Sequence, residues 1–377
     1  MAVTFLAGFE SSTLEGFTAF TGTPTASTAQ ARTGSTSLRC QRASGASASV
    51  QLSGTTLTGY LHFGLYFAAL PTVTVRFTGL ASNLHLFLTS TGKLRLSAFG
   101  TDSAATLSAG QWYWIGERGI AGTAVPAIQV DGVDDLVANV VPGAASLVLG
   151  PDQSDATATD MYFDDVIVDS AGYIAPSRVR LLVPTADSAV GAGWTLGSGG
   201  TTGLWDGVNN VPPTAVADTG TTAQIRNAAS NTNSYDATMQ TYAAAGIASG
   251  DTILAVQPVI STAAPVTTSS KQGTVGVVSN PTIANIALGA GGTAGAFWSG
   301  VAGGTYPTGW KTSFGTMTTS PSVTLGTAPV MRVTQATAST RIAMVAFMGI
   351  YVAVTPSTVV TYVPRSGFVN HQNPGVL

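Results

Sequence analysis

The stretch Met161-Tyr-Phe-Asp-Asp-Val-Ile-Val-Asp169 decides the fold of the first half of the chain. Successive side chains of a strand point to opposite faces of the sheet, so residues 162, 164, 166 and 168 would share one face and residues 161, 163, 165, 167 and 169 the other. Both faces are mostly apolar, which is typical of a central strand buried on both sides. The two adjacent carboxylates, Asp164 and Asp165, therefore need partners, because a buried charge is costly unless it is paired.

Two interpretations of these carboxylates follow from the sequence. We predict that Asp164 and Asp165 lie where the strand enters the sheet, and that they either cap a neighbouring turn or bind a cation. Carboxylate oxygens are the ligands of calcium, but no EF-hand spacing is present, and Asp residues commonly cap turns. A structural calcium ion is thus the single candidate cofactor, and turn capping is the alternative.

Working outward, short alternating apolar segments recur along the chain without a convincing helical period. This pattern predicts an all-β protein made of two antiparallel β-sandwich domains in tandem. The first would span residues 1–175 and the second residues 176–356, with a linker at Gly172-Tyr-Ile-Ala-Pro-Ser177. Residues 357–377 have no periodicity and predict an extended C-terminal tail. Thr89-Ser-Thr-Gly-Lys93 predicts a hairpin turn, and residues 273–278 are predicted to pair with residues 282–288 across Asn280-Pro281. Residues 237–247 fit a short helix or a strand equally well.

The composition excludes several classes of function. Charged residues make up 9% of the 377 residues, against roughly 25% in an average soluble protein, and the net charge is −3. Basic residues are scattered, so we predict no nucleic-acid partner. No apolar run reaches the ~18 residues of a membrane span, and no leader segment is expected at the N-terminus. Such a weakly charged surface predicts a homo-oligomer, because a monomer of this kind would be poorly soluble.

A resemblance appears when five segments of the first half are taken in order. They are Gly8-Phe-Glu10, Arg32-Thr-Gly-Ser-Thr-Ser-Leu38, Gly110-Gln-Trp-Tyr-Trp-Ile115, Val130-Asp-Gly132 and Tyr162-Phe-Asp-Asp-Val166. This set resembles the concanavalin-like jelly roll in its laminin-G-like form, as found in many bacteriophage virion proteins. The resemblance covers about residues 1–175 and implies a jelly-roll fold, with glycan or cation binding in edge loops or on the concave face.

The same resemblance also includes glycanases, which place paired carboxylates on one strand. The three glutamates of the chain, Glu10, Glu15 and Glu117, form no Glu-x-Asp-x-x-Glu arrangement. Because no Ser/His/Asp set and no transition-metal motif is present either, we predict that the protein is not an enzyme. The candidate glycan-binding residues are aromatic: Trp112, Trp114, Trp298 and Trp310, with Trp194 as a further exposed candidate.

The second half is similar to a recurrent module of minor tail and head-decorating phage proteins. The similarity rests on Trp205-Asp-Gly-Val208, Pro212-Pro213, Ile253-Leu-Ala-Val-Gln257 and a final apolar strand. It implies a structural component of a phage particle, a minor tail or fibre protein, located in the virion after assembly in the host cytoplasm. The alternatives are a capsid decoration protein, or a carbohydrate-binding module that contacts host glycans. The expected partners are further copies of the chain, in a trimer, and other virion proteins.

Overall fold

The computed structural model describes most of the strand framework of the chain. The described residues are 3–11, 14, 16–17, 19–52, 59–79, 85–96, 100–120, 122–140, 147–151, 157–196, 203–209, 225–227, 233–263, 273–287, 310–314, 317–335 and 344–358. Within these ranges the protein is all-β, as predicted, and its regular helical structure is the 3₁₀ turn Leu204–Gly207. No helix in the described residues is long and apolar enough to span a bilayer. The predicted tail, 357–377, lies outside the described residues beyond position 358.

The first half forms three antiparallel sheets. Its strands are β1 (Val3–Ala7), β2 (Ala19–Thr21), β3 (Thr25–Ser27), β4 (Ser37–Arg42), β5 (Ser49–Leu52), β6 (Tyr60–Phe67), β7 (Val75–Arg76), β8 (Thr78–Gly79), β9 (Leu86–Leu88), β10 (Leu94–Leu96), β11 (Trp112–Arg118), β12 (Gly122–Val130), β13 (Val133–Val140), β14 (Leu147–Leu149) and β15 (Thr159–Asp169). The large sheet has the order β13-β12-β11-β6-β15-β4-β3, with β1 paired to β15. The two smaller sheets have the orders β2-β5-β14-β8 and β10-β9-β7.

The second half forms two antiparallel sheets of its own. Its strands are β16 (Arg178–Leu182), β17 (Pro184–Val190), β18 (Trp194–Leu196), β19 (Ile225–Asn227), β20 (Ser234–Met239), β21 (Thr252–Ala263), β22 (Gly273–Ser279), β23 (Ile283–Ala287), β24 (Trp310–Phe314), β25 (Thr318–Thr319), β26 (Val330–Gln335) and β27 (Met344–Thr355). One sheet has the order β18-β19-β27-β21-β24, with β16 on β27 and β25 on β21, and the other is β17-β20-β26-β22-β23.

The sheets stack in four layers with three apolar clusters between them. The first cluster joins the large sheet to the two smaller sheets of the first half. The second cluster joins the two sheets of the second half. The third cluster, which includes Leu6, Ile167, Leu254, Phe347 and Tyr351, lies between the halves. The tandem sandwiches therefore pack sheet against sheet, and β15 and β27 are buried on both faces because they lie in the two middle layers.

A β-bulge in β15 corrects the predicted face assignment of the opening stretch. The register against β6 shifts between Asp164 and Ile167, and Asp165 has a φ of 52°. Before the bulge Phe163 points into the first cluster, and after it Val166 does so, whereas Ile167 points into the cluster between the halves. Strict alternation had placed Phe163 and Ile167 on one face. The extra residue of the bulge moves each residue after it to the opposite face of the sheet. The carboxylates also lie mid-strand rather than at the strand entry.

Several local predictions are confirmed by the pairing. The turn after Leu88 joins β9 to β10, and Asn280-Pro281 joins β22 to β23. The ambiguous segment 237–247 continues β20 to Met239 and then turns. The linker residue Tyr173 packs on Tyr60 and His62, and the Ile174 N–H donates to His62 Nε2 at 3.1 Å. The linker is therefore docked on the outer face of the large sheet.

Candidate functional site

The outer face of the large sheet is the face turned away from the sandwich interior. Strand pairing divides it into transverse rows. One row brings together Trp112 of β11, Tyr66 of β6, Tyr162 of β15, Arg39 of β4 and Thr25 of β3, each directly opposite its neighbour. Five strands at about 4.8 Å spacing give this row a length of about 19 Å. We call these five residues the aromatic row.

Three rings of the aromatic row touch one another. The Tyr66 ring lies 5.5 Å from Trp112 and 5.6 Å from Tyr162, measured between ring centroids. Trp112 and Tyr66 are half-buried, whereas Tyr162 is 3% exposed because its neighbours cover it. Half-buried aromatic rings offer a flat apolar surface with polar edges, which suits the C–H face and hydroxyl groups of a sugar.

A charged pair lies at the other end of the aromatic row. Arg39 donates from Nε and Nη2 to the two oxygens of Asp160, at 2.9 and 2.8 Å. The guanidinium lies 5.5 Å from the Tyr162 ring, and the pKa of Arg39 is raised, chiefly by its hydrogen bond to Asp160. Because each carboxylate oxygen has two lone pairs, Asp160 keeps acceptor sites for hydroxyl donors. The pair adds directional polar contacts to the stacking surface.

Other side chains lie on the neighbouring rows of the same face, and two glycines leave the space that these side chains occupy. Gly64 lies under Arg32, since a Cβ there would be 2.4 Å from Arg32 Cδ. Gly116 lies under Tyr173, since a Cβ there would be 2.9 Å from the ring. Arg32 and Tyr173 therefore cover positions beside the aromatic row, in which the rings of Trp112 and Tyr66 stay half-buried.

Of the predicted glycan-binding tryptophans, the structure places Trp112 in the aromatic row and Trp114 elsewhere. Trp114 is 2% exposed, with Arg32 lying 4.6 Å over its ring and His62 stacked at 6.0 Å. It belongs to the cluster between the halves, so it has no ring face left for a sugar. The prediction for Trp114 is wrong because Trp114 itself lies under the second sandwich.

Of the other three candidate tryptophans, the structure describes the side chain of Trp194. Trp298 lies outside the described residues, and Trp310 is described only as the first residue of β24. Trp194 is 4% exposed and donates from Nε1 to the Asn233 carbonyl at 3.2 Å, so it is a core residue and not an exposed one.

Asp164 and Asp165 hold a turn and a neighbouring strand. Asp164 Oδ2 accepts the backbone N–H groups of Arg32 and Thr33 at 2.8 and 3.2 Å. Asp165 accepts Arg32 Nη1 at 2.7 Å, Thr33 Oγ1 at 2.7 Å and the Val179 N–H at 2.6 Å. The turn-capping interpretation is therefore confirmed. The bulge matters here, because it turns two adjacent carboxylates toward the same face.

In the structure, donors of the chain itself contact the carboxylate oxygens that a calcium ion would need. Burial and the neighbouring Asp165 raise the pKa of Asp164 well above its ordinary value. Arg32 supplies the compensating charge, and its Nη1 also donates to the Ser177 carbonyl at 2.6 Å. The donors thus come from the chain itself, and in the described residues no group of three or more His, Cys, Asp or Glu side chains could hold a metal ion.

Four members of the aromatic row were missed by sequence reasoning: Tyr66, Tyr162, Arg39 and Thr25. The first three alternate with core residues in their own strands, so their outward direction was readable. Their alignment depends on the register of four strands that are far apart in the sequence, and no local signal carries that register.

Two glutamates have shifted pKa values. Glu117 points into the first sandwich, is 0% exposed and accepts Thr78 Oγ1 at 2.9 Å, and burial raises its pKa to about 8. Glu10 accepts the Ser35 N–H and Oγ at 3.0 and 3.1 Å, and burial raises its pKa to about 7. Since Glu117 is enclosed in the core, it is not accessible to a substrate on the aromatic row.

Comparison with known proteins yields structural likenesses only. No protein-family model matches the chain, and no curated protein matches it. The cellulose-induced protein Cip1 is 15% identical over 46% of this chain and 100% of its own, with a TM-score of 0.37. Domain 4 of AbnA, a GH43 extracellular arabinanase from Geobacillus stearothermophilus in complex with arabinotriose, is 15% identical over 45% of this chain and 95% of its own, with a TM-score of 0.30.

A third likeness spans both halves. The CBM22-1-CBM22-2 tandem of Paenibacillus barcinonensis Xyn10C is 13% identical over 93% of this chain and 97% of its own, with a TM-score of 0.25. These neighbours are jelly-roll and carbohydrate-binding types of domain. With TM-scores below 0.5 they carry no argument about the function of this chain, and the all-β sandwich fold rests on the sheets themselves.

Replacing Arg32 tests the pairing beneath the second sandwich. Arg32→Met leaves two buried carboxylates without their cation, so we expect the free energy of unfolding to fall by about 3–5 kcal/mol, measured by urea denaturation. The matched control is Arg95→Met, because Arg95 pairs with Asp102 at the surface, where a loss within about 1 kcal/mol is expected. Equal losses in the two variants would contradict the assigned role, and Arg32→Met combined with Asp165→Asn should recover part of the loss.

Glu117 should make stability depend on pH. Its pKa is about 8 in the folded protein and 4.5 ordinarily, so between these values the folded state holds a proton that the unfolded state has lost. Stability contributed by this group is complete below pH 4.5 and falls as the pH rises to 8, by about 1.4 kcal/mol per pH unit. Glu117→Gln removes this loss, so its stability relative to the unmodified protein should rise from pH 5 to pH 8.

The control for this pH series is Asp102→Asn. The pKa of Asp102 is lowered by the Arg95 hydrogen bond, so its contribution is lost only as the pH falls below the ordinary carboxyl range. Denaturation curves of Glu117→Gln that stay parallel to those of the unmodified protein from pH 5 to pH 8 would show that Glu117 is ionised in the fold.

Proposed function

We propose that this chain is a non-catalytic glycan-binding protein, and that the aromatic row is its binding surface. The observation that supports this most strongly is the contact between the half-buried rings of Trp112 and Tyr66, with the buried Tyr162 beside them and the Arg39–Asp160 pair beyond it. Aromatic rings stack on the apolar face of a sugar, and the pair supplies donors and acceptors for its hydroxyl groups.

The shape of the surface indicates the kind of ligand. A row of about 19 Å across five strands is longer than a single sugar ring, and it is open along its length rather than enclosed. We therefore propose an extended oligosaccharide as the ligand, lying across the strands. The absence of glutamates from the row fits binding without cleavage.

The test is a glycan array followed by titration calorimetry with the best ligand. Trp112→Ala and Tyr66→Ala should each weaken binding at least about tenfold, because each removes a stacking ring. The matched control is Phe87→Ala, a half-buried aromatic residue on β9 in a different sheet, which should bind like the unmodified protein. Lack of binding to every glycan, or equal loss in the Phe87 variant, would overturn the proposal.

We propose, as a second function, that the protein is a structural component of a bacteriophage particle, a minor tail, fibre or head-decoration protein that assembles as a trimer. Two observations favour assembly. Charged residues make up only 9% of the chain, and the edge strand β13 exposes Val133 at 68% and Val137 at 58%. An edge strand with exposed apolar side chains is a surface at which further chains can add. Glycan binding would then serve contact with the host surface.

Sedimentation velocity tests the assembly. The purified chain should sediment as a species of three times 38.0 kDa, and a double change, Val133→Lys with Val137→Lys, should shift it toward the monomer because charge on an edge opposes pairing. The control Val278→Lys alters a valine exposed at 39% on β22, which has a neighbouring strand on each side, and should leave the mass unchanged. A monomer at high concentration would contradict this second proposal without affecting the first.

A further inference from the structure

A cleft between the two sandwiches lies at the edge of β16. It has a volume of about 260 Å³ and is lined by Glu10 and Ser35 from the first half and by Arg180, Leu181, Val183 and Ala245 from the second. Binding pockets for drug-sized ligands measure about 300–1,000 Å³, so this cleft fits something nearer to one sugar ring.

The Arg180 side chain lines the cleft, and its buried Nε has no hydrogen-bond partner. Among the described residues it forms no ion pair with Glu10, although both line the same space. Arg178, two residues earlier on β16, also has an unpaired buried Nε, but its Nη2 donates to Asp251 at 2.6 Å and to the Gly246 carbonyl at 2.9 Å. A buried donor left unpaired costs free energy, so Arg180 is a ready partner for an anionic oxygen.

Glu10 presents acceptors on the opposite wall. Ser35 holds its carboxylate through the N–H and the hydroxyl, and Gly34 approaches so closely that a Cβ there would be 1.9 Å from Glu10 Oε1. The side chain is therefore fixed in place, with lone pairs left for hydroxyl donors. Leu181, Val183 and Ala245 supply an apolar wall between the two charged groups.

We propose that this cleft binds an acidic sugar residue, with its carboxylate on Arg180, its hydroxyl groups on Glu10 and its ring against the apolar wall. Each part of the ligand follows from one part of the lining: a fork of donors for a carboxylate, a fixed acceptor for hydroxyls, and aliphatic carbons for the C–H face. The site is separate from the aromatic row and does not depend on the function proposed for it.

The charge of Glu10 should tune the affinity. The groups near it are Ser35 and Thr36 in the turn, Asp164 and Asp165 on β15, and Arg180 on β16. Burial raises the pKa of Glu10 to about 7, so below that pH the neutral acid no longer repels an anionic ligand. Binding should therefore strengthen as the pH falls from 8 to 6.

The experiment is titration calorimetry of the full chain with glucuronate, and with glucose as the neutral probe. We expect glucuronate to bind with a dissociation constant on the order of 1 mM and glucose to bind more weakly. Arg180→Gln should weaken glucuronate binding about tenfold, and Arg180→Lys should weaken it less because the charge remains. Glu10→Gln should remove the dependence on pH between 6 and 8.

The controls separate this site from the others. Arg95→Gln removes an exposed arginine in the first sandwich and should leave glucuronate binding unchanged. Ala245→Leu fills the cleft without removing a charge and should weaken binding, which covers the case in which an Arg180 variant fails to fold. Trp112→Ala should have no effect, so failure here and failure of the aromatic row are distinguishable. No glucuronate binding, or equal binding by Arg180→Gln, would overturn the proposal.

Discussion

The relative placement of the two sandwiches depends on one buried cation, the Arg32 guanidinium, which donates to the Asp165 carboxylate and to the Ser177 carbonyl. Asp165 links Arg32 of the first half to the Val179 N–H of the second, and Arg32 reaches the Ser177 carbonyl just before β16. A buried ion pair adds little net stability, because the desolvation of both charges offsets their attraction. The apolar cluster between the sheets supplies the attraction between the sandwiches. The directional bonds of Arg32 select one placement among the many that apolar contact alone would permit.

The bulge in β15 makes this arrangement geometrically feasible. In a regular strand Asp164 and Asp165 would point to opposite faces, and one of them would enter the first sandwich without a partner. The left-handed conformation of Asp165, which Asp adopts more readily than most residues, turns both carboxylates toward Arg32. Glycine at position 64 then leaves the space that the Arg32 side chain occupies. One backbone irregularity and one missing side chain thus convert a plain sheet face into a docking surface.

The alternation of apolar residues was sufficient to predict the fold class, the hairpin after Leu88 and the turn at Asn280-Pro281. It was insufficient to predict the bulge. After the bulge the residues of β15 exchange faces, and because β15 is apolar on both faces, this exchange does not change the sequence pattern. The candidate site divides in the same way. Trp112 was identifiable as an aromatic strand residue, but Tyr66 joins it only through the pairing of β11 with β6. Trp114 was misassigned because the second sandwich buries it, and this tertiary contact cannot be predicted from the periodicity of one strand.

The low charge of the chain also has a cause within the fold. Four layers create three apolar interfaces, so strands of the two middle sheets, such as β15 and β27, have few positions that face water. A two-layer sandwich would expose one face of every sheet and would accept charged residues there. The apolar run that ends in Val354 is accordingly a strand covered on both sides, with β16 and β21 as its neighbours. The low content of charged residues therefore follows in part from the packing of two sandwiches within one chain. The remaining argument for contact between copies of the chain rests on the exposed valines of β13.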